Sequence, residues 1–395
     1  MEAHAAARGG QLRVSTLELF FDLVFVFTLT QLTTVLADRF DGRGLLQVAV
    51  MLGVIWWMYG GYVWLTNAVA PDRAGRRLLL LGGMAAYLVL ALAIPEAFEG
   101  SGLAFGLAYA AVILVHSGLF SHALEKRLVA VAPFNLVVAA LVVVGGGVGG
   151  TAQYALWTLA AVFAWITPRL IDDSGFQIAA KHFVERHGLV VIIAIGESIV
   201  ALGIGAEGLA VDLPLVLVVS LGLGLSACLW WAYFRGDDER AERALTATPT
   251  EQRPRLAIDA FGYAHYLILL GIIGIAAALK KATGHAFDPF TFEQSLGLAG
   301  GLSLFLVGDA LFRRTLDIGR IDIRLAAAIL ALASIPLGTQ IAAFAQLAAL
   351  VLLTVAALSA EGPAAGRSTS RGTAEDTRRR RFPAVRGDRT SGGAR

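Results

Sequence analysis

Two apolar stretches carry carboxylates at depths where a carboxylate is costly. Ser15 to Thr34, STLELFFDLVFVFTLTQLTT, holds Glu18 and Asp22 four residues apart, so a helix places both on one face. Glu185 to Gly205, ERHGLVVIIAIGESIVALGIG, repeats the theme, with an ionisable entry followed by Glu197 inside an apolar run. At 1.5 Å per residue Asp22 lies about 10 Å beyond Ser15, roughly a third of the way across a core of about 30 Å, and Glu197 lies about 13 Å beyond Gly188, near the midplane. A charge at such depth costs about 2.5 to 3.5 kcal/mol even on lenient insertion scales. Each carboxylate must therefore face the bundle interior, protonated, paired or wetted. The chemistry this suits is binding and release of a proton or small cation; an interhelical hydrogen bond is the structural alternative.

The neighbours refine that reading. Ser15-Thr16-Leu17-Glu18 fits a capping box, in which Glu18 reaches back to the amide of Ser15. Glu197 is flanked by Gly196 and Ser198 and followed by Gly203 and Gly205, small residues that let a partner helix approach closely. His182, Glu185, Arg186 and His187 form a cluster at the mouth of the second stretch. Their H-x-x-E-R-H spacing departs from the H-E-x-x-H and H-x-x-E-H zinc patterns, so an interfacial ion-pair network or proton antenna fits better than a hydrolase. Asp309 and Arg313 stand at the spacing of a helix ion pair. His116 and His265, each in an apolar run, read as packing groups or proton relays, and Trp56, Trp57, Tyr59, Tyr62 and Trp64 as interface and packing groups. The single cysteine, Cys228, excludes an intrachain disulfide and a cysteine metal site. No Walker loop or Rossmann glycine fingerprint occurs, so ATP-driven transport by this chain alone is not expected; no cofactor, metal or nucleic-acid partner is expected either.

The elements that position these residues are membrane helices. The 395-residue chain is 57% hydrophobic with a mean hydropathy of +0.69 and only 16% charged, against roughly 25% charged in soluble domains. The fold expected is all-α, a polytopic transmembrane bundle of about twelve spans, near 15–36, 45–66, 78–95, 102–121, 128–144, 151–170, 188–206, 213–234, 257–279, 293–312, 322–337 and 339–358. The last pair could also be one long or re-entrant run. With both termini cytoplasmic, 28 of the 32 Lys and Arg residues fall on the inner side, which is the bias that orients such proteins. Carboxylates inside the first apolar stretch argue that it is retained as a span and not cleaved as a signal peptide. The chain divides into a cytoplasmic N-terminus (1–14), a membrane domain (15–360) and an Arg-rich tail (361–395). The tail reads as disordered and attractive to anionic lipid. The membrane domain divides naturally into halves at 15–174 and 175–360, each opening on its carboxylate-bearing helix, as parallel repeats would.

Four segments carry a family resemblance. LELFFDLVFVFTLTQLT (17–33), ERHGLVVIIAIGESIVALG (185–203), YAHYLILLGI (263–272) and LFLVGDALFRR (304–314) together resemble the bacterial low temperature requirement protein A (LtrA) family. The resemblance implies a multi-pass membrane protein of the cell envelope and weight on Glu18, Phe21, Asp22, Glu185, His187, Gly196, Glu197 and Ser198, without an established reaction. Residues and resemblance together lead to the expectation of a secondary transporter or ion-conducting protein of the inner (plasma) membrane. The alternatives are a membrane enzyme or lipid-handling protein at the cytoplasmic leaflet, and a non-transporting cold or membrane-stress factor.

Overall fold

With no water in a bilayer core to satisfy backbone N–H and C=O groups, an apolar run must satisfy them internally, and an α-helix does so within one segment. The computed structural model, which describes residues 14–68, 73–121, 131–170 and 178–362, is helical throughout, with no strand among the described residues. In chain order the helices are α1 (Thr16–Asp38), α2 (Gly42–Ala68), α3 (Ala74–Ala93), α4 (Gly102–Ser121), α5 (Ala132–Val148) and α6 (Gly150–Leu170), then α7 (Ala180–Gly205), α8 (Leu213–Phe234), α9 (Asp237–Ala247) and α10 (Arg253–Ala257). A π-helical turn (Ile258–Tyr263) runs directly into α11 (Ala264–Ala282), followed by α12 (Phe292–Leu316), α13 (Asp322–Leu332), α14 (Ile335–Gln340) and α15 (Ala343–Glu361).

Ten segments among the described residues are long and apolar enough to cross a membrane. The two expected spans outside that set are the fifth and sixth. Helix α5 has 17 residues, a length of about 25 Å, and α6 has 21 but carries Gln153, Thr167 and Arg169. The last apolar stretch is two segments: Asp322–Gln340, bent where α13 gives way to α14, and Ala343–Glu361. Large apolar side chains such as Leu78, Leu92, Leu114, Ile329 and Leu352 are exposed on the outer faces, which hydrocarbon accommodates and water would not. Residues 1–13, the loop with Lys126 and Arg127, the expected dividing point at 174–175, and the basic tail from 363 lie outside the described residues. Glu361, read as the first tail residue, is instead the last residue of α15.

Helix neighbours close into two cycles. In the first, α1 packs on α2 and α3, α3 on α4, α4 on α5, α5 on α6, and α6 back on α2. In the second, α7 packs on α8 and α11, α11 on α12, α12 on α13, α13 on α15, and α15 back on α8. The cycles meet where α1 and α2 lie against α7 and α11. This seam contains the two most deeply buried spans, α2 and α11, and the buried carboxylates Glu18, Asp22 and Glu197.

Close helix approach depends on particular glycines. A Cβ at Gly271 of α11 would stand 2.5 Å from the carbonyl oxygen of Gly301 on α12 and 2.6 Å from the amide nitrogen of Phe305. Both are backbone atoms, which cannot swing aside. Gly196 is different: a Cβ there, as at Gly203, meets nothing within 4 Å, whereas a Cβ at Gly205 would stand 2.6 Å from the carbonyl oxygen of Lys280, so the close approach the sequence suggested falls at Gly205 and not beside Glu197. The glycines at 145–147 belong to α5, and the turn to α6 is left to Gly149 and Gly150, both at positive φ. Gly271→Val should therefore lower thermal stability in detergent by about 1 to 3 kcal/mol or abolish folding, while Gly196→Ala should leave it unchanged. Size-exclusion and melting profiles of the two variants check this, and equal profiles would contradict the assigned contact.

Candidate functional site

The site begins with the capping box of α1. Ser15 Oγ accepts from the amide of Glu18, and Glu18 Oε2 accepts from both the amide and the hydroxyl of Ser15, at 2.8 Å each. This fixes one oxygen of Glu18 and leaves Oε1 pointing across the seam to α7. There it meets Arg186 Nη1 at 2.9 Å and His182 Nε2 at 3.1 Å. The same guanidinium extends to Asp22, whose Oδ1 accepts from Arg186 Nη2 at 2.6 Å and from the Tyr59 hydroxyl of α2 at 2.9 Å. Thr66 of α2 also accepts from Arg186. Glu18, Asp22, His182 and Arg186 are all at most 2% exposed. The two roles considered for Glu18, cap and functional carboxylate, coexist because each uses a different oxygen.

The tautomer of His182 follows from its other neighbour. The amide of Ala179 donates to Asn67 Oδ1 at 3.0 Å, which turns the Asn67 amino group toward His182 Nδ1, 3.2 Å away. An amino group only donates, so Nδ1 accepts and the imidazole proton sits on Nε2, facing Glu18. His182 is thus neutral here. The network then holds two carboxylates against one guanidinium, and no further cation joins it among the described residues. Glu18 is saturated by donors, whereas Asp22 Oδ2 and Arg186 Nε are buried without a hydrogen-bond partner among the described residues.

Glu197 lies farther along the same seam. Its Oε2 accepts from the Thr30 hydroxyl of α1 at 2.6 Å, and Lys280, at the far end of α11, acts on it electrostatically. Eight residues separate Asp22 from Thr30, about 12 Å along α1. The hydroxyls of Thr33 and Ser198 are buried in the same helices without partners among the described residues. One polar seam between two parallel helices therefore carries a three-residue ion network at one end and a hydrogen-bonded carboxylate at the other.

The mouth cluster separates into three directions. His182 and Arg186 enter the network, Glu185 is exposed, and His187 turns to an aromatic group of Trp56, Phe183, Phe261 and His265. His265 donates from Nδ1 to the carbonyl of Ala260, five residues back, a spacing the π turn provides, and accepts from the Tyr233 hydroxyl at 2.7 Å. It is a satisfied, neutral core residue. His116 packs beside Tyr62 and Gly61 and lines one cavity together with Trp56, Trp57 and His187. Among the described residues no group of three or more His, Cys, Asp or Glu could hold a metal.

The profile of the bacterial low temperature requirement A protein (LtrA) family matches residues 13–359, and thus both carboxylate helices. The chain belongs to the LtrA family. A Rhizobium meliloti (strain 1021) protein described as uncharacterized protein RA0937 is 30% identical over 326 residues, covering 77% of this chain and 78% of its own length. No solved structure matches.

This LtrA chain also contains a second charged network that the sequence showed only in part. Asp309 and Arg313 of α12 are 3.5 Å apart, yet each has a closer partner: Arg324 Nη1 of α13 lies 2.6 Å from Asp309, and Asp237 of α9 lies 2.7 Å from Arg313 Nε. Glu361 at the end of α15 accepts from both Arg324 and Arg313, and Arg240 pairs with Asp237. Three carboxylates therefore meet three guanidinium groups, tying α9, α12, α13 and α15 together. Arg324 is the buried hub of this network, and the sequence reading did not single it out. Its position after only two residues of an apolar helix was the available signal. Removing one partner of a buried ion pair costs about 3 to 5 kcal/mol, so Arg324→Leu and Arg186→Leu should each lower stability by that order. Removing the exposed Arg39–Glu99 pair by Arg39→Gln should stay within about 1 kcal/mol. Denaturant titration in detergent separates the three, and an Arg186→Leu variant as stable as Arg39→Gln would refute the buried network.

Proposed function

We propose that this LtrA-family protein is a secondary transporter or ion-conducting protein of the bacterial inner membrane, in which Asp22 and Glu197 exchange a proton or small cation. The observation that supports it is the charge deficit of the α1–α7 network, two carboxylates to one guanidinium around a neutral His182. A buried net charge is strongly disfavoured in hydrocarbon surroundings and is relieved by taking up one positive charge. Asp22 Oδ2 is the atom that can accept it without breaking a bond already made. The titratable and charged groups acting on Asp22 are Glu18 on α1, Tyr59 on α2 and Arg186 on α7, with His182 of α7 against Glu18. Of these only Arg186 brings a fixed positive charge.

In this reading the chain crosses the membrane twelve times with both termini cytoplasmic, and its two six-helix halves are related repeats. The matching order of helix contacts in the two cycles supports the repeat. The basic tail holds anionic lipid at the inner surface. An enzyme or lipid-handling site built on His182, Glu185, Arg186 and His187 has less support, since those side chains face three different surroundings. A cold or membrane-stress factor rests on the family's name alone.

Proton flux into proteoliposomes, followed with an entrapped pH dye under an imposed potential, tests the proposal. Asp22→Asn and Glu197→Gln should each reduce flux by about tenfold or more, equivalent to about 1.4 kcal/mol in barrier, with the folded fraction retained. Flux unchanged in both variants would remove these carboxylates from the mechanism. Cysteine labelling should reach position 245 from the cytoplasmic side and position 100 from the outside; the reverse would overturn the orientation.

A further inference from the structure

Beside the charged network lies a cavity of about 140 Å³ that the transport reading leaves unused. It sits toward the end of the bundle where α2 and α6 finish and α5, α7 and the π turn begin. Four of the chain's seven tryptophans, Trp56, Trp57, Trp64 and Trp165, line it together with Phe183 and Tyr263. The sequence reading took the tryptophans of α2 for packing groups, but here three of them face one space with a fourth from α6. A cavity of roughly this size admits a molecule of one small ring or its equivalent.

His116 also lines the cavity, and two further polar groups give it a direction. Asn135 Oδ1 accepts from Trp57 Nε1 at 2.9 Å, which leaves the amino group of Asn135 without a partner among the described residues. His187 Nδ1 lies 2.8 Å from the carbonyl oxygen of Phe183 and must donate to it. The Nε2 of His187 is thereby held as a lone-pair acceptor, with no partner among the described residues. Both side chains line the cavity and are at most 3% exposed.

The wall toward α1 is thin. Trp56 stacks on Tyr59 at 5.1 Å and 10°, and the Tyr59 hydroxyl donates to Asp22. A ligand in the cavity is thus one stacked pair of rings away from the unbalanced carboxylates. Aromatic faces attract cations through their quadrupoles, with indole the strongest, and such walls recognise quaternary ammonium groups. A neutral apolar guest would gain from burial but would leave the charge deficit uncorrected.

We propose that this cavity binds a small organic monocation bearing a hydrogen-bond donor, with the indoles enclosing the cationic head, His187 Nε2 accepting the donor, and the Glu18–Asp22–Arg186 network supplying the counter-charge. The inference rests on the transport reading for its counter-charge, and it names the substrate class: the cation and a proton on Asp22 satisfy the same deficit, so binding of one opposes binding of the other.

Choline is a suitable probe, because its neutral isostere 3,3-dimethylbutan-1-ol has the same shape and the same hydroxyl. Equilibrium binding to purified full-length protein in detergent, read by calorimetry and by quenching of tryptophan fluorescence, should favour choline over the isostere by about tenfold or more. Absence of choline binding would overturn the site, and equal affinity for both compounds would overturn its preference for a cation. Gly60 lines the cavity, and a Cβ there meets nothing within 4 Å, so Gly60→Leu should fill the space and weaken choline about tenfold or more without impairing folding. Trp57→Leu should do the same, and retention of full affinity in Gly60→Leu would place the ligand elsewhere. Asp22→Asn should weaken choline and spare the isostere; an unchanged choline affinity would sever the link to the network. These measurements need no gradient. Loss of proton flux with choline binding absent would keep the transport reading and end this one, whereas choline binding with flux unaffected by the carboxylate variants would do the reverse.

Discussion

The guanidinium of Arg186, held between Glu18 and Asp22, is the interaction on which the seam depends. It joins the first helix of one packing cycle to the first helix of the other, at a depth where none of the three charges is tolerable alone. Its geometry is set from both sides. The capping box fixes Glu18 Oε2 and so aims Oε1, while Tyr59 and Thr66 of α2 position Asp22 and Arg186 from a third helix. Three helices thus have one register relative to one another, because sliding any of them by a turn would strand a buried charge.

The two buried networks are alike in composition and opposite in balance. Around Arg324 three carboxylates meet three guanidinium groups, so the cluster is neutral and complete, a clasp between α9, α12, α13 and α15. Around Arg186 one negative charge is left over, and the imidazole that could cancel it is held neutral by Asn67. Neutral buried clusters fix a structure, and most substitutions in them would show as lost stability. A buried cluster with a deficit has a reason to exchange charge with its surroundings. In the proposed reading, the distinction places functional weight on α1 and α7 and structural weight on the C-terminal helices.

Fold class was legible in the sequence because it follows from hydropathy and length alone, and the two carboxylate helices were legible because a charge in an apolar run is conspicuous. What stayed hidden was pairing. Asp309 and Arg313 look like a self-sufficient couple at helical spacing, and only the arrival of Arg324 and Asp237 from other helices shows that each is otherwise engaged. Glu361 sits at the start of a polar tail in the sequence and inside an ion network in the fold. His182, Arg186 and His187 are near neighbours in the chain, yet a helix turns 100° per residue, so His187 faces an aromatic pocket while Arg186 faces carboxylates. Thr30, an ordinary residue of an apolar run, becomes the partner of Glu197 solely because α1 and α7 run side by side. Long-range partners leave no local periodic trace.

On the proposed transport reading, the distance between the two carboxylate stations limits how a charge would pass along the seam. Proton transfer needs groups within hydrogen-bond reach, about 2.6 to 3.2 Å or one intervening water, whereas Asp22 and the Thr30 partner of Glu197 are about 12 Å apart along α1. The interval on α1 is filled by Phe25 and Leu29, both fully buried, and by Thr28, whose hydroxyl is already committed to the carbonyl of Phe25. Among the described residues of α1, no relay of side chains therefore connects the stations in this conformation. A charge that moves between them requires either water entering the seam or a displacement of α1 against α7, and the second would break the bonds of Arg186 that set their register. Uptake of a positive charge by Asp22 weakens those bonds by removing one of the guanidinium's two anionic partners. Occupancy of the network and freedom of the seam to move are thus coupled by the same ion pair, which gives the deficit at Arg186 a consequence beyond its own immediate surroundings.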